Sequence, residues 1–315
     1  MTETELLDNL LAALGRQLPD PSDPSARRLI NGRGNALAGL ETVVADWFPP
    51  LLHITIYGPC SDAGLSRLAT EILPLFGSAI GALVVQQRIV AACDVRLLYG
   101  SLPEPCVVQE AGLRYLIDPL ARQNIGYFPD MAVGRALVRE RAAGKRVLNL
   151  FAYTCGFSVA ALAGGAARVV NVDMNGRLLD RGRRNHQLNG LDARKATFLP
   201  HDVFKSFGRL RREGPYDLVI IDPPGYQPGS FSAERDWPKL LRRLPELMPD
   251  GGEVLAAVSA PELGCSFLQE QFALHLPAAR LVGGWTAGED FPESDPDLGL
   301  HLLAYQLPAG SLSVE

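Results

Sequence analysis

Aspartates that follow two apolar runs in the second half of the chain could bind a nucleoside. Asp173 follows the run 168–172, and it lies 24 positions after Asn149 in the preceding run. In nucleotide-binding folds, a carboxylate about 20 residues beyond the first turn accepts the hydroxyls of a ribose. Asp202 follows the next run, 196–199, where its carboxylate could accept the amino group of an adenine. These positions predict a ligand that contains adenosine.

The segment 149–158 reads N-L-F-A-Y-T-C-G-F-S and has a single glycine. A dinucleotide-binding fold has G-x-G-x-x-G here, because a pyrophosphate must approach the backbone closely. The side chains of Tyr153, Thr154 and Cys155 occupy those positions in this chain. The sequence therefore argues against NAD as the ligand.

A further apolar run ends in Asp222-Pro223-Pro224-Gly225-Tyr226. Two consecutive prolines prevent the backbone from continuing as a helix, and Pro223 forces Asp222 towards an extended conformation. We expect this segment to form a rigid loop beside the ligand.

Each of these features also has an ordinary structural explanation. An aspartate at the end of a strand is more often the N-cap of the next helix, and helices are predicted after both Asp173 and Asp202. Two prolines after a strand often only end it. The functional interpretation depends on finding all of these features, in order, within one alternating segment.

The elements that position these residues are apolar runs that alternate with helical segments. Such alternation predicts a parallel sheet with helices on both faces. The predicted strands are 146–151, 168–172, 196–199, 216–221, 253–258, 280–285 and 300–306, and the predicted helices are 157–163, 176–188, 203–212, 233–248 and 265–274. Only an irregular loop separates the last two strands, so we expect the final strand to be antiparallel. Ligands of such sheets bind at the carboxyl ends of the strands, where strand order reverses.

The first 120 residues predict a smaller α+β domain. Its expected elements are a helix around 6–14, a loop at 27–39, strands at 51–57, 82–89 and 94–99, a helix at 63–75 and a hairpin formed by 107–109 and 114–118. We therefore divide the chain into an N-terminal domain, 1–120, and a ligand-binding α/β domain, 121–315.

Composition limits the classes to which the protein can belong. Of the 315 residues, 47% are hydrophobic and 21% are charged, which excludes disordered and fibrous proteins. No apolar run reaches the ~18 residues of a membrane helix, and acidic residues stand near the N-terminus where a secretory signal has basic ones. The five cysteines are scattered, which argues against disulfides and a metal site. We expect a cytoplasmic protein with no membrane contact and no metal.

Taken together, these motifs resemble a known family. The segments N-L-F-A-Y-T-C-G-F-S, V-D-M at 172–174, H-D-V-F at 201–204 and I-D-P-P at 221–224 resemble class I S-adenosylmethionine-dependent methyltransferases. They are most similar to bacterial methyltransferases of large-subunit ribosomal RNA, in the cytosine-C5 and guanine-N7 branches. The segments 112–118 and 123–130 are similar to that family's hairpin and to its Q-x-x-G-x-F-x-D motif.

This resemblance implies a Rossmann-like, seven-stranded methyltransferase domain that binds S-adenosyl-L-methionine and acts on ribosomal RNA or the assembling large subunit. The residues expected to contact the cofactor are Gln123, Phe128, Asp130, Asn149, Phe151, Tyr153, Thr154, Gly156, Phe157, Ser158, Asp173, Met174, Asp202, Val203 and Asp222. Among them, Asp173 would bind the ribose and Asp202 the adenine. Asp222, Pro223 and Pro224 would face the transferred methyl group. The family usually has glycine at the position of Cys155, so the close backbone approach expected there is in question.

The residues near the predicted site bear on which atom is methylated. Methylation of a pyrimidine at carbon 5 requires a thiolate that adds to carbon 6. The cytosine-C5 branch has a cysteine about where this chain has Ser259 and Ala260, and the nearest thiols are those of Cys155 and Cys265. A ring nitrogen or exocyclic amine already has a lone pair and needs only to be oriented.

We therefore predict methylation of a purine nitrogen, with Asp222 positioning the acceptor and Tyr226 stacking on the base. Cytosine-C5 methylation remains an alternative, as do a protein or small-molecule substrate and a non-catalytic scaffold for ribosome assembly. The oligomeric state is not indicated.

Charged segments give mixed signals about an RNA partner. The net charge of −5 argues against a general nucleic-acid coat, although the predicted helices 176–188 and 203–212 are rich in arginine. Arg27, Arg28 and Arg33 stand beside glycines and could form a flexible loop that contacts phosphate. Trp47 and Phe48 could be a stacking pair or core residues. By contrast, five acids without a base fall within 289–297, and such a loop should repel phosphate.

Overall fold

The structure is a computed structural model that describes residues 1–89, 92–227, 231–260 and 263–310; the side chains of Ala92, Tyr226 and Gln227 lie outside this description. The chain divides into two compact units. The first consists of Met1–Pro129 and Gly288–Asp295, and the second consists of Asp130–Ala287 and Pro296–Glu315.

The first unit is an α+β unit built on a five-stranded sheet. Its helices are α1 (Glu3–Arg16) and α2 (Asp62–Phe76), and its strands are β1 (Arg27–Asn31), β2 (Val43–Phe48), β3 (Leu51–Ile56), β4 (Ala82–Ile89), β5 (Ala92–Gly100), β6 (Val107–Glu110) and β7 (Leu113–Leu116). Strands β1 to β5 lie in chain order. Strands β3 and β4 are parallel, with α2 as their crossover, and the other neighbours are antiparallel.

The helices of the first unit form where the sequence predicts them. Thr2 caps α1 through a capping box with Glu5, which satisfies two N–H groups of the first turn. The leucines of α1 pack with α2 and with one face of the sheet in a single core. Trp47 is 1% exposed and Phe48 is 2% exposed, so both are core residues and form no exposed stacking pair.

Residues 121–129, which the sequence analysis assigned to the second domain, pack within the first unit. The Gln86 side chain donates a hydrogen bond to the Ala121 carbonyl at 2.9 Å. The Tyr127 ring lies 5.5 Å from that of Tyr115 in β7. These contacts cover the face of the sheet opposite α1 and α2. The division between the units therefore falls after Pro129.

Strands β1 and β2 are not anticipated from the sequence, which predicts a loop at 27–39. Charged residues within them conceal the strand pattern. Arg28 in β1 donates from Nε to Asp46 Oδ1 in β2 at 2.7 Å, so the two charges neutralise each other across the pair of strands. Because the pair is mostly buried, β2 is buried along its whole length despite its aspartate.

The acidic loop 288–295 packs against β1 and the turn that follows it. Arg27 forms an ion pair with Asp290 at 2.8 Å, and the Asn31 side chain donates to the Pro292 carbonyl at 3.2 Å. The sequence shows no base near these acids, but the tertiary structure supplies Arg27. Repulsion of phosphate by this loop is therefore weaker than the sequence suggests.

The second unit contains the alternating segment. Its strands are β8 (Arg146–Leu150), β9 (Arg168–Asp173), β10 (Ala196–Pro200), β11 (Leu218–Ile221), β12 (Tyr226–Gln227), β13 (Phe231–Ser232), β14 (Gly252–Val258), β15 (Arg280–Thr286) and β16 (His301–Leu307), and its helices are α3 (Ala132–Arg141), α4 (Gly156–Ala163), α5 (Gly176–Leu188), α6 (Val203–Glu213), α7 (Ala233–Leu247) and α8 (Cys265–His275). Helix α3 is not anticipated from the sequence, because its polar composition conceals its buried face.

The seven-stranded sheet that the resemblance implies is present, in the order β10-β9-β8-β11-β14-β16-β15. The first five strands are parallel, and β16 is antiparallel to both of its neighbours, which confirms the expected final strand. Helices α6, α7 and α8 cover one face and α3 and α4 cover the other, so the unit has three layers. Strand order reverses between β8 and β11, and this is where a ligand is expected.

Candidate functional site

Four neighbouring strands bring the predicted residues to one edge of the sheet. Leu150 of β8 is in register with Val172 of β9 and with Ile221 of β11. Phe151, Asp173 and Asp222, the residues that complete or follow these strands, therefore lie at the same carboxyl edge. Asp202 stands two residues beyond β10, the outer strand of this group.

The turn between β8 and α4 has an unusual backbone. Phe151, Tyr153 and Cys155 have φ angles of 57°, 49° and 62°, in the left-handed region that favours glycine. Non-glycine residues there cost about 1 kcal/mol or more each, and they persist only where the surroundings fix them. The cysteine at 155 therefore adopts the conformation for which glycine is the usual residue. This turn, residues 151–155, is called the strained turn below.

Hydrogen bonds from two elements, β9 and α5, hold the strained turn. The Tyr153 N–H donates to Asp173 Oδ2 at 2.8 Å, and the Ala152 N–H donates to the Val172 carbonyl at 2.9 Å. The Asn185 side chain in α5 donates to the Thr154 carbonyl at 3.0 Å. The turn is thus rigid before any ligand arrives. No side chain caps the first turn of α4, so N–H groups at Gly156 and Phe157 are available to an anionic group such as a carboxylate.

The Asp173 carboxylate connects the strained turn to α5. Its Oδ2 accepts from Tyr153, and its Oδ1 accepts from the Asn175 N–H at 2.8 Å. Asn175, rather than Asp173, caps α5. Burial raises the pKa of Asp173, and the two backbone hydrogen bonds oppose that rise. Each carboxylate oxygen can accept a second hydrogen bond, so Asp173 can still bind ribose hydroxyls. Met174, the next residue, is exposed.

Asp202 does act as a helix N-cap. Its Oδ1 accepts from the Phe204 N–H at 2.7 Å and from the Lys205 N–H at 3.3 Å, at the start of α6. Within the described ranges, its Oδ2 accepts no hydrogen bond. The capping role therefore leaves one carboxylate oxygen for an adenine amino group. Val203, which follows it, is buried.

Asp222 lies in a cluster of three charged residues. Burial, with a smaller contribution from the Asp130 carboxylate, raises the pKa of Asp222 to about 7, and the Arg135 guanidinium opposes this rise. Arg135 belongs to α3 and is 5% exposed. One arginine in a helix carries no local signal in the sequence, so the place of Arg135 beside Asp222 emerges only from the fold. Asp222 can thus change its charge near neutral pH.

The loop after Asp222 packs tightly against the end of β14. A Cβ atom at Gly225 would lie 2.4 Å from the Ala260 Cβ, so only glycine fits there. Pro223 is buried and Pro224 is exposed. The backbone of Tyr226 pairs with Ser232 in the β12–β13 hairpin, but the Tyr226 side chain lies outside the described part.

Asp236 is a further residue that the sequence analysis did not single out. Its buried side chain accepts from the Ser232 N–H at 2.9 Å, forms ion pairs with Arg235 and Lys239 at 2.7 Å, and so fixes the end of the loop. These donors hold its pKa well below its usual range. The sequence shows that Asp236 is charged, but the donors that surround its carboxylate are known only from the fold.

Two of the predicted cofactor residues have side chains that face the interior. Asn149 Nδ2 donates to Asn171 Oδ1 at 2.9 Å, and Asn171 Nδ2 donates to Ser158 Oγ at 3.0 Å. Ser158 Oγ lies 2.9 Å from His186 Nε2, and His186 Nδ1 lies 2.7 Å from the Gly182 carbonyl. Because a carbonyl only accepts, Nδ1 carries the proton and Ser158 donates to Nε2. Burial lowers the pKa of His186, in keeping with a neutral ring.

The remaining predicted residues are distributed as follows. Gln123 and Phe128 belong to the first unit, where the Gln123 carbonyl accepts from Gln86 and Phe128 is 38% exposed. Phe151 packs edge-on against Phe231 at 5.2 Å. The residues that the second unit brings together at its carboxyl edge are thus the strained turn with Gly156 and Phe157, Asp173, Met174, Asp202, Val203, Asp222 and its prolines.

The two thiols near the predicted site are poor nucleophiles. Burial raises the pKa of the fully buried Cys155 thiol well above its usual value. Burial and, to a lesser degree, Asp297 raise the pKa of Cys265, at the start of α8. Both therefore remain protonated at neutral pH, and thiolate chemistry is disfavoured.

Among the described residues, no group of three or more histidine, cysteine, aspartate or glutamate side chains is placed to hold a metal ion. In the same part of the chain, no helix is both long and apolar enough to span a membrane.

The fold and this edge define the second unit as a class I methyltransferase domain. Residues 27–306 match the family model described as S-adenosylmethionine-dependent methyltransferase. The match covers most of the chain, so the protein belongs to this family, whose cofactor is S-adenosyl-L-methionine.

Similar proteins agree with this assignment. The chain is 36% identical over 180 residues to the ribosomal RNA large subunit methyltransferase I of Aeromonas salmonicida (strain A449), which covers 56% of this chain and 44% of the relative. It is 36% identical over 205 residues to the protein of that name from Escherichia coli O139:H28, covering 63% and 51%. The chain thus spans about half the length of these curated relatives.

A solved structure has the same fold. A protein described as a methyltransferase, crystallised in complex with SAH, superposes with a TM-score of 0.83 at 23% identity, covering 98% of this chain and 82% of that one. The expected class I fold is therefore confirmed.

The close contact between α5 and the strained turn gives a stability prediction. A Cβ at Gly182 would lie 2.4 Å from Cys155 Sγ and 2.9 Å from Cys155 Cβ. Alanine in place of a helical glycine usually stabilises by about 1 kcal/mol. Here we expect Gly182→Ala to destabilise by about 1–3 kcal/mol through overpacking, as measured by urea unfolding.

Adding Cys155→Gly should restore most of that stability, since it removes the opposing atoms and the strain at position 155. Gly208→Ala is the matched control, because no atom lies within 4 Å of its added Cβ and it should not destabilise. A Gly182→Ala protein as stable as the wild type would show that the turn and the helix are not closely packed.

Proposed function

We propose that this protein transfers a methyl group from S-adenosyl-L-methionine to a base of ribosomal RNA, with a purine nitrogen as the acceptor. The observation that supports this most is the Asp222 carboxylate, which lies half-buried at the carboxyl edge with no ionised thiol in the adjoining loops of the described chain. The ribosomal substrate is inferred from the relatives of about half coverage, whose name specifies ribosomal RNA of the large subunit. A cytoplasmic site of action follows from that substrate.

The chemistry of the groups at this edge supports the proposal. The cofactor carries a positively charged sulfonium and an ammonium, and it is the source of the methyl group. The carboxylates of Asp222 and Asp130 would stabilise positive charge, and the free N–H groups of α4 would bind the methionine carboxylate. Asp173 would bind the ribose and Oδ2 of Asp202 the adenine amino group.

The protein's role in the reaction is mainly to orient the acceptor. A nitrogen lone pair attacks the methyl carbon in line with the carbon–sulfur bond, which breaks as its electrons go to sulfur. Asp222, held extended by Pro223, would accept a hydrogen bond from the N–H of the base. Tyr226 would stack on the base. Asp236 would fix the loop that carries both residues.

The environment of the thiols favours nitrogen over carbon 5 as the acceptor. Attack on carbon 6 of a pyrimidine requires a thiolate, but burial raises the pKa of both Cys155 and Cys265. In space, Gly225 packs against Ala260, whose methyl side chain carries no nucleophile. Methylation of carbon 5 would therefore require a group that this edge does not present among its described residues.

The shifted pKa of Asp222 gives a prediction for cofactor binding. Because its pKa is raised to about 7, Asp222 is largely protonated at pH 6 and ionised at pH 8. A cationic ligand favours the ionised form, so affinity for S-adenosylmethionine should rise from pH 6 to pH 8, by up to about tenfold per unit. Isothermal titration calorimetry across this range measures the slope.

Asp222→Asn should bind S-adenosylmethionine more weakly at pH 8, and the slope of its affinity against pH should disappear. S-adenosylhomocysteine, which lacks the sulfonium charge, should show a smaller slope on the wild type. Asp202→Asn is the matched control, because it should weaken binding and keep the slope. An equal slope in Asp222→Asn and in the wild type would exclude Asp222 as the titrating group.

The activity itself can be tested with RNA from a strain that lacks the gene. Purified protein is incubated with this RNA and labelled S-adenosylmethionine, and digested nucleosides are identified by mass spectrometry. We expect label in a guanosine or adenosine methylated on nitrogen, and no transfer after ribonuclease treatment. Asp222→Asn should reduce the rate by roughly 100-fold or more, if it orients the acceptor.

Other products would overturn parts of the proposal. Labelled 5-methylcytosine would disprove nitrogen as the acceptor, and Cys265→Ser and Cys155→Ser would then identify the nucleophile. Label that enters protein and survives ribonuclease would disprove the RNA substrate. Cofactor binding without transfer to any RNA would indicate a scaffold.

A further inference from the structure

Two arginines and a tyrosine meet at one end of the five-stranded sheet of the first unit. The Arg33 Cζ lies 4.3 Å from the centroid of the Tyr57 ring, and the Arg88 Cζ lies 5.6 Å from the same centroid. Arg33 follows β1, Tyr57 follows β3, and Arg88 lies near the end of the parallel strand β4. The sheet therefore brings three residues that are distant in sequence to the same end of its strands. They are called the arginine–tyrosine cluster below.

The backbone that carries Arg33 is rigid. A Cβ at Gly32 would lie 1.7 Å from the Leu40 carbonyl oxygen, and a Cβ at Gly34 would lie 2.0 Å from the Pro292 carbonyl oxygen. The turn closes with a hydrogen bond of 2.8 Å from the Asn35 N–H to the Gly32 carbonyl. The sequence suggests a flexible glycine-rich loop, but here the glycines allow close packing. Arg33 is therefore presented from a fixed position.

Within the described residues, neither arginine of the cluster forms an ion pair with a carboxylate. Arg27 and Arg28 are paired with Asp290 and Asp46. Arg33, by contrast, is exposed and forms no ion pair within the described residues. Arg88 donates to Gln86 Oε1 at 2.8 Å and to the Gln123 carbonyl, which are neutral oxygens.

A guanidinium stacked on an aromatic ring can still present its in-plane N–H donors, which match the oxygens of a phosphate. Within the described residues, the Arg33 donors are unused, and Arg88 keeps Nη1 because its Nε and Nη2 donate to Gln86 and Gln123. The Ser294 N–H donates to the Gly34 carbonyl at 2.7 Å, which further fixes the turn that carries Arg33. We propose that the arginine–tyrosine cluster is a docking site for a phosphodiester of the RNA substrate. This proposal rests on the proposed function. The first unit thereby contributes a preformed contact to the RNA backbone.

The test compares variants in binding and in catalysis, with ribosomal RNA from a strain that lacks the gene as the probe. Arg33→Gln and Arg88→Gln should each raise the Kd and KM for this RNA about three- to tenfold, with kcat unchanged. The slope of log Kd against log salt should become shallower by about 1 for each lost phosphate contact. Arg33→Lys should restore the salt slope and only part of the affinity, because lysine lacks the planar fork.

Arg67→Gln is the matched control, since Arg67 lies on α2 in the same unit and is paired with Asp8 and Glu71. It should match the wild type in Kd and salt slope. Thermal unfolding and the affinity for S-adenosylhomocysteine should be the same in the wild type and in the Arg33 and Arg67 variants, which separates lost docking from lost folding. Arg88→Gln should also unfold at a lower temperature, because it loses the hydrogen bonds to Gln86 and to the Gln123 carbonyl.

The outcomes distinguish the two proposals. If the wild type methylates RNA while Arg33→Gln and Arg88→Gln keep its Kd and salt slope, the docking site is disproved and the function stands. If the wild type neither binds nor methylates RNA but transfers methyl to protein, both are disproved.

Discussion

The arrangement of the second unit depends on hydrogen bonds that hold a strained backbone. Three non-glycine residues of the turn between β8 and α4 have positive φ, at Phe151, Tyr153 and Cys155. The carboxylate of Asp173 and the amide of Asn185 bind this turn from β9 and α5. Since the strain is balanced by bonds that already exist, a ligand would meet a surface that does not need to reorganise. Such preorganisation lowers the entropy cost of binding.

The same turn is supported from within by polar side chains that contact no solvent. The series Asn149, Asn171, Ser158 and His186 connects β8, β9, α4 and α5 by hydrogen bonds. A buried polar group costs free energy unless it is paired, so each of these side chains fixes the orientation of its neighbour. These hydrogen bonds tie α4 and α5 to the strands β8 and β9.

Electrostatics differ between the two units. In the second unit, the half-buried Asp222 interacts electrostatically with Asp130 and Arg135, and the pKa of Asp222 rises mainly because its ionised form is poorly solvated. In the first unit, Asp290 of the loop 288–295 forms an ion pair with Arg27, and the Pro292 carbonyl of the same loop accepts a hydrogen bond from the Asn31 side chain. Arg33 and Arg88 contact the Tyr57 ring and, within the described part of the chain, form no ion pair. Counting charges along the sequence does not show this, because Arg27 and Asp290 form an ion pair although 263 positions separate them.

The sequence by itself determined the class of fold and predicted the edge at which we expect the site. Apolar runs that alternate with helices predicted the seven-stranded sheet, and motifs at the strand ends located Asp173, Asp202 and Asp222, since these signals are local and periodic. The sequence did not show β1, β2 or α3. In β1 and β2, the charges of Arg28 and Asp46 neutralise each other only once the strands pair. Whether Asp202 caps a helix, whether Asn149 faces the interior, and which arginines stay unpaired were decided by tertiary structure alone. The physical reason is that burial and charge pairing depend on residues far apart in the chain.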